Sequence, residues 1–151
     1  MFINTKIMKR FLVLYAALAI AFSASANDKP IRYDQLPARA KSFIEAYFPT
    51  HSFSFAKYDN SIGDSTYDVV FSDGTEIEFN RRGEWRQIDC KRGSIIPSAL
   101  FPSSIASYLG QNYPTQNIVE AERNSHHWEL QLSNGIEFTF DRHGQIRRIN
   151  H

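Results

Sequence analysis

The sequence has little cysteine: Cys90 is the single one among 151 residues. One thiol cannot close a disulfide within the chain, so the fold must depend on its hydrophobic core. Aromatic residues make up 14% of the sequence, and each large ring can bury about 150–250 Å². We therefore expect a fold held by aromatic packing, with Cys90 at least half-buried, although pairing with another chain stays an alternative.

Motifs for catalysis are also missing. No Gly-x-Ser-x-Gly elbow and no Cys–His arrangement supports nucleophilic catalysis. Acidic residues such as Glu76 and Glu78 alternate as on a solvated strand face, whereas acid–base chemistry needs them together in a cleft. His126 and His127 suggest a metal ligand pair, but neighbouring strand residues point to opposite faces and zinc needs three or four converging ligands. The sequence thus predicts no enzyme, no cofactor and no metal site.

An excess of positive charge is absent once the first 26 residues are set aside. That segment carries Lys6, Lys9 and Arg10 and no acid, which leaves 14 basic residues against 16 acidic ones. Proteins that bind nucleic acid or anionic lipid show a basic patch or stripe. The composition therefore excludes a general nucleic-acid or lipid-surface role.

The N-terminus has the pattern of an export signal. Lys9 and Arg10 precede an apolar run at 11–22, and the small residues at 23–26 form an A-x-A cleavage pattern. The run is shorter than the ~20 residues that span a bilayer, so a membrane anchor is not expected. We predict a signal peptide at 1–26, cleavage after Ala26, and a periplasmic or secreted product without a membrane span.

The remaining chain contains the same pattern twice. FSDGTEIEFNRRGEWRQI, at 71–88, matches LSNGIEFTFDRHGQIRRI, at 132–149, with every glycine aligned. Upstream, Leu36–Thr50 matches Phe101–Thr115, and the offset between copies shortens by four residues in the loop around 59–65. The chain is therefore expected to be two copies of one unit, at 31–90 and 96–151.

Each unit reads as one helix followed by strands. Pro37 and Pro102 suit the first helical turn, and Pro49 and Pro114 end the helix. Apolar alternation then predicts four strands, beginning near Phe53 or Ile118. The predicted fold is α+β, with two tandem repeats that each pack a helix on a four-stranded antiparallel meander. Whether the two sheets join stays open.

Loop chemistry predicts the strand register. A three-residue loop ending in a left-handed glycine keeps apolar residues on one face, whereas a two-residue turn would mix apolar and charged residues. The expected pairs are Val69 with Ile77, Tyr67 with Phe79, Phe79 with Trp85, Leu130 with Phe138, Trp128 with Phe140, and Phe140 with Ile146.

The same register predicts which side chains point away from the helices. Exposed sheet faces can bind partners, and the alternative is an ordinary solvated face whose charge pairs limit aggregation. The candidate partner-binding residues are Asp68, Val70, Glu76, Glu78, Arg86 and Ile88 in the first copy, and Glu129, Gln131, Glu137, Thr139, Arg147 and Ile149 in the second.

These motifs resemble a known family. The pattern is a helix that opens with Leu36-Pro37 and closes at Phe48-Pro49-Thr50, followed by the turns Ser72-Asp73-Gly74 and Gly83-Glu84-Trp85. This pattern resembles that of the PepSY-like, β-lactamase-inhibitor-like proteins secreted by bacteria. The resemblance implies a non-enzymatic α+β protein, since related PepSY domains act as peptidase-inhibiting or regulatory modules. Tandem β-lactamase inhibitor proteins present a sheet face to their target. This chain departs from them in lacking intradomain disulfides.

We therefore expect an exported protein-binding module that inhibits or regulates an envelope or secreted enzyme through its sheet face, with a protein partner in the cell envelope. One alternative is a periplasmic small-ligand or metal-binding protein. Another is an envelope subunit that assembles through open sheet edges or Cys90.

Overall fold

Two α-helices and nine β-strands make up residues 28–90 and 93–151, the part of the chain that the computed structural model describes. The predicted signal peptide, at 1–26, lies outside these residues. The helices are α1 (Ala38–Tyr47) and α2 (Ser103–Asn112), each preceded by a single 3-10 turn, at Tyr33–Gln35 and Ser98–Leu100. The strands are β1 (Asp28–Ile31), β2 (Phe53–Asp59), β3 (Thr66–Phe71), β4 (Glu76–Asn80), β5 (Trp85–Asp89), β6 (Ile118–Arg123), β7 (His127–Leu132), β8 (Glu137–Asp141) and β9 (Ile146–Asn150).

The strands form one antiparallel sheet in sequential order from β1 to β9. The predicted α+β class with an antiparallel sheet is confirmed. The two expected meanders join because β5 pairs with β6, with Ile88 opposite Ala121. Strand β1 was not expected from the sequence, and it lies along the free edge of β2, with Ile31 opposite Ala56.

The helices begin and end where proline dictates. Pro37 and Pro102 stand immediately before the first helical residue, with φ of −53° and −49°. Proline fits there because its fixed φ suits the helix entry and its missing N–H loses no hydrogen bond. Each helix then buries one apolar face on the sheet, through Ala40 and Ile44 in α1 and through Ile105 and Leu109 in α2.

The predicted loops and first strand pairs are confirmed. Gly74, Gly83, Gly135 and Gly144 all have positive φ, between 76° and 89°. Every predicted pair is present in the sheet: Val69–Ile77, Tyr67–Phe79, Phe79–Trp85, Leu130–Phe138, Trp128–Phe140 and Phe140–Ile146.

The predicted register is wrong in β5 and β9, beginning with the residue after Trp85 in β5 and the residue after Ile146 in β9. A bulge after the Phe79–Trp85 pair places Ile88 opposite Ile77, so Ile88 faces the helix and is fully buried. The same bulge after Phe140–Ile146 places Ile149 opposite Phe138. Ile88 and Ile149 were predicted on the outer face, and that placement is wrong because a bulge adds one residue and reverses the alternation beyond it.

Aromatic packing fills the junction between β5 and the following segment. The Trp85 ring lies 5.9 Å from Trp128 and 6.4 Å from Phe101, centroid to centroid. The guanidinium of Arg123 stacks 4.2 Å above Trp85 and its Nε donates a hydrogen bond to the Trp85 carbonyl at 2.8 Å. This cluster ties the two halves of the sheet together on the helix side.

Candidate functional site

The sheet face opposite the helices, here called the outer face, crosses all nine strands in continuous rows. One row runs from Lys57 and Asp68 through Glu78 to Glu122, Glu129 and beyond, as the strand register requires. Because β5 pairs with β6, the rows of the two halves join rather than ending at the middle. The outer face is therefore one surface.

The outer face is acidic. In-register positions there carry two basic residues, Lys57 and Arg148, while Arg86 and Arg147 stand at the bulges. Against these stand eleven carboxylates on the same face: Asp28, Asp59, Asp68, Glu76, Glu78, Asp89, Glu120, Glu122, Glu129, Glu137 and Asp141. Several directly opposed pairs are both acidic, such as Asp68 with Glu78 and Glu122 with Glu129.

Basic side chains form ion pairs with some of the outer-face carboxylates in the first half. The ammonium of Lys57 lies 3.0 Å from Asp28 and 3.4 Å from Asp68. Arg86 contacts Asp64 at 2.5 Å and Glu78 at 3.7 Å. The loop at 60–65 supplies Asp64, so the longer loop of the first half adds an ionic contact beside the outer face.

The carboxyl of Glu78 is strongly perturbed. Burial raises its pKa from 4.5 to about 7, and the neighbouring charge of Asp68 adds to the increase while Arg86 opposes it. Burial also raises the pKa of Asp68, against the attraction of Lys57. The main physical cause at both carboxyls is burial, which disfavours the charged form.

The second half organises its outer face differently. Glu129 is 8% exposed and lies 3.0 Å from His127 Nε2, while Glu120 is 1% exposed. Arg147 contacts Asp141 at 2.8 Å instead of joining the predicted row, and Arg148 takes the position opposite Thr139. The two halves thus share an acidic face but not its ionic contacts.

The structure places most of the sequence-predicted residues on this face. The in-register ones are Asp68, Val70, Glu76, Glu78, Glu129, Gln131, Glu137 and Thr139. Arg86 and Arg147 occupy the bulges, and Ile88 and Ile149 lie on the helix side. Whether any of them binds a partner stays a prediction.

Sequence reasoning missed the centre of the outer face. Gln87 and Asp89 replace the expected Arg86 and Ile88 there, because the bulge shifts β5 by one residue. Glu120 and Glu122 follow from the alternation of β6 once it is known to pair with β5. The signal was present in the sequence, since a glutamate on every second residue of a strand predicts one acidic side.

A Ser, His, Asp cluster lies at the edge of the first half. His51 Nε2 is 3.0 Å from Ser94 Oγ and 3.1 Å from Asp73 Oδ2, and Ser94 donates to Asp73 at 2.6 Å. In a catalytic triad the acid binds the ring nitrogen opposite the serine, whereas here both contact the same nitrogen. Burial raises the pKa of Asp73, but hydrogen bonds from Ser94 and Thr75 outweigh it and the net pKa is lowered. The cluster holds the residues after the first half against the β3–β4 turn.

The remaining sequence candidates are also located. Cys90 is 1% exposed, and burial raises the pKa of its thiol to about 12, which favours the buried interpretation over pairing with another chain. His126 is exposed in a loop, while His127 turns to Glu129. Within residues 28–90 and 93–151, no group of three or more His, Cys, Asp or Glu side chains is arranged to hold a metal ion. None of the helices in these ranges is long and apolar enough to cross a membrane.

The sequence matches the model of a known family. A sequence model of the family described as "Putative beta-lactamase-inhibitor-like, PepSY-like" matches residues 65–148, more than half of the chain. The match runs from the start of β3 into β9. No curated protein matches the sequence.

Similar solved structures come from Bacteroides. One from Bacteroides vulgatus ATCC 8482, described as a "putative periplasmic protein" of the DUF2874 family, is 37% identical, covers 85% of this chain and all of its own, and has a TM-score of 0.79. A "putative calcium-regulated periplasmic protein" from Bacteroides thetaiotaomicron is 33% identical over 82% of this chain and 97% of its own, with a TM-score of 0.78. A further Bacteroides vulgatus structure, described as a "putative periplasmic protein of unknown function", is 35% identical over 82% of this chain and 99% of its own, with a TM-score of 0.75.

Proposed function

The chain belongs to the PepSY-like, beta-lactamase-inhibitor-like family, and on that premise we propose that it is an exported, non-enzymatic protein-binding module. Its acidic outer face contacts a basic surface of a protein in the cell envelope. The partner is an envelope or secreted enzyme, which this module inhibits or regulates.

Export is supported by two independent lines. The first 26 residues carry a charged segment, an apolar run and a small-residue cleavage pattern. The similar structures from Bacteroides are described as periplasmic proteins. We place the mature chain, from Asn27 on, in the periplasm.

We also propose that the two halves are copies of one PepSY-like repeat. The support is that each half has the same order of a 3-10 turn, a helix and four strands. The same bulge follows the same pair in both, Phe79–Trp85 in one and Phe140–Ile146 in the other. Joining the copies through β5 and β6 covers two strand edges that single copies would expose.

The outer face has the dimensions of a protein interface. Nine strands at a spacing of about 4.8 Å span roughly 40 Å, and five residues along a strand cover about 17 Å. That is roughly 700 Å², close to the ~800 Å² that each partner buries in a standard complex. A surface with an excess of one charge sign directs association with a partner of the opposite sign and weakens it with others.

The single observation that carries the proposal is the row of carboxylates from Glu76 through Asp89 to Glu120, which continues across the β5–β6 pair. It is tested by capturing partners from an envelope extract with the chain from Asn27 on and with Glu78→Lys/Glu137→Lys. The matched control is Asp34→Lys/Glu45→Lys, which makes the same charge change on exposed residues of the helix side.

We expect the native chain and the helix-side control to retain a basic partner that the outer-face variant loses, with capture weakening as salt is raised. Equal capture by all three proteins would remove the outer face from the proposal. Circular dichroism must first show that each variant is folded, because a misfolded variant would lose its partner for another reason.

A second candidate function is calcium binding on the same face. Carboxylate oxygens are the ligands that Ca²⁺ prefers, and one similar structure is described as calcium-regulated. The described residues hold no preformed three-ligand group, so a calcium site would have to gather side chains as it forms. Calorimetric titration of the native chain and of Glu129→Gln with Ca²⁺ and Mg²⁺ tests this candidate. If Ca²⁺ produced no heat of binding with the native chain, calcium binding would be excluded.

A further inference from the structure

Strand β9 is the last strand of the sheet. Among the residues that the structure describes, no strand pairs with the edge of β9 that faces away from β8. A row of unpaired backbone N–H and C=O groups on a sheet edge is a template for another strand. The opposite end of the sheet is different, because β1 is a four-residue strand that contains Pro30 and so lacks one N–H donor.

The positional counterpart of β9 is β5, which shows what such an edge accepts. Both strands follow a glycine loop, pair with the preceding strand and carry the same bulge. β5 is covered by β6, with Ile88 opposite Ala121 and Gln87 opposite Glu122. By position, Ile149 corresponds to Ile88.

The apolar residues of β9 are correspondingly uncovered. Trp85 and Ile88 are 4% and 0% exposed, whereas their counterparts Ile146 and Ile149 are 37% and 36% exposed. Ile88 lies opposite Ala121 of β6, and Trp85 is covered by Phe101, Trp128 and Arg123. A strand laid along β9 would cover Ile149, as β6 covers Ile88, and would reduce the exposure of Ile146. The edge therefore offers apolar surface together with free backbone groups.

We propose that the β9 edge binds an extended segment of another protein by antiparallel strand addition. The segment has the chemistry of β6, with acidic residues on the outer face and apolar residues, as at Ile118 and Ala121, on the helix side. Main-chain hydrogen bonds supply affinity in this mode, and alternate side chains supply specificity. The proposal concerns the edge and not the outer face, so it does not depend on the proposed function.

Charge selects an acidic segment over a second copy of the chain. A β6-like strand would set its equivalent of Glu122 opposite Arg148, a favourable cross-strand pair where β5 offers the neutral Gln87. Two copies pairing through β9 would instead bring together strands that each carry Arg147 and Arg148. A second copy offers only its proline-containing β1 as the other described edge.

The probe is a peptide with the sequence of residues 117–124, titrated into the isotope-labelled chain from Asn27 on and followed by amide chemical shifts. We expect shifts concentrated in β9. Arg148→Glu should weaken binding about fivefold, since it turns a favourable cross-strand pair into a repulsive one. Arg142→Glu, on an exposed loop arginine beside β9, is the control and should change affinity less than twofold.

A charge swap makes the test specific. A peptide in which the residue equivalent to Glu122 is lysine should bind Arg148→Glu better than it binds the native chain. No shifts in β9 at millimolar peptide, or equal affinity for both variants, would overturn the proposal. Shifts confined to the outer face would also overturn it while supporting the outer face as a binding surface. If the native chain sedimented as a dimer that depends on β9, the occupant of the β9 edge would be a second copy of the chain, and the proposal of a foreign segment would be wrong.

Discussion

The two halves of the sheet place matching residues in opposite surroundings. Trp85 in β5 is 4% exposed, while Ile146, at the same position of β9, is 37% exposed. Each stands opposite a buried phenylalanine of the preceding strand, Phe79 or Phe140. The difference comes from the residues beside each strand: Phe101, Arg123 and Trp128 pack on Trp85, whereas no described strand covers β9. The burial of the last strand of each half therefore depends on what packs beside it.

The largest test of this comparison is to truncate both residues. Trp85→Ala removes a ring that packs on Phe101, Trp128 and Arg123, so we expect a loss of about 3–5 kcal/mol of unfolding free energy. Ile146→Ala removes a side chain already partly in water and should lose about 1 kcal/mol. Urea denaturation of both variants measures the difference. Equal losses would mean that the β5–β6 junction contributes no more than the edge does.

A second comparison concerns two glycines with left-handed backbones. A Cβ on Gly83 would lie 2.9 Å from both the Ala40 nitrogen and the Pro37 Cβ, whereas a Cβ on Gly135 would meet nothing within 4 Å. Both have positive φ, 76° and 89°, which alone costs an alanine about 1–2 kcal/mol. We expect Gly83→Ala to lose about 2–3 kcal/mol, because the start of α1 must also move.

Gly135→Ala serves as the control, with an expected loss near 1 kcal/mol from backbone strain alone. Thermal or urea unfolding of the two variants gives the comparison. If Gly135→Ala proved the more damaging, close packing of the β4–β5 turn under α1 would not be what requires glycine at position 83.

Much of this fold could be predicted because its signals are local. Glycine loops and apolar alternation correctly placed Val69 opposite Ile77 and Leu130 opposite Phe138. The prediction failed at Ile88 because a bulge has no residue signature of its own and reverses every side chain beyond it. Register is thus readable up to the first irregularity.

The acidic face was harder to foresee because it is a property of the joined sheet. Glu122 and Glu129 become neighbours through β6 and β7, and Asp89 meets Glu120 across the junction. Sequence alone did not show that β5 and β6 pair. Non-local pairing decides which charges share a surface, and no spacing within one unit encodes it.

The pH dependence of stability separates the outer faces of the two halves. Burial and the charge of Asp68 raise the pKa of Glu78 from 4.5 to about 7, whereas its counterpart in β8 is Thr139, which does not titrate. Between these pH values the folded protein keeps a proton that the unfolded chain has lost. The resulting stability is fully present below pH 4.5 and is lost as pH rises through about 7.

Glu78→Gln should therefore raise the unfolding free energy at pH 8 by about 1 kcal/mol, a value reduced for the partial solvent exposure of the carboxyl. Urea midpoints at pH 5 and pH 8 check this. Thr139→Ala is the control. Neither threonine nor alanine titrates, so the change of unfolding free energy with pH should stay as in the native chain. An unchanged slope in Glu78→Gln would assign the pH dependence to other carboxyls.

The smallest expected effect compares the two bulge arginines. Arg86 is 38% exposed and bridges Asp64 and Glu78, while Arg147 is 68% exposed and contacts Asp141. Exposed ion pairs contribute about 0.2–1 kcal/mol, and more when a cation serves two carboxylates with restricted solvent.

We expect Arg86→Ala to lose about 1 kcal/mol at pH 7 and Arg147→Ala less than about 0.5 kcal/mol. Arg86→Ala should also steepen the fall in stability between pH 5 and pH 8. Burial and Asp68 raise the pKa of Glu78 while Arg86 restrains that increase, so removing the arginine favours the protonated carboxyl further. Arg147→Ala should leave the slope unchanged. Equal slopes in the two variants would show that the Asp64 contact, rather than Glu78, is what holds Arg86 at the bulge.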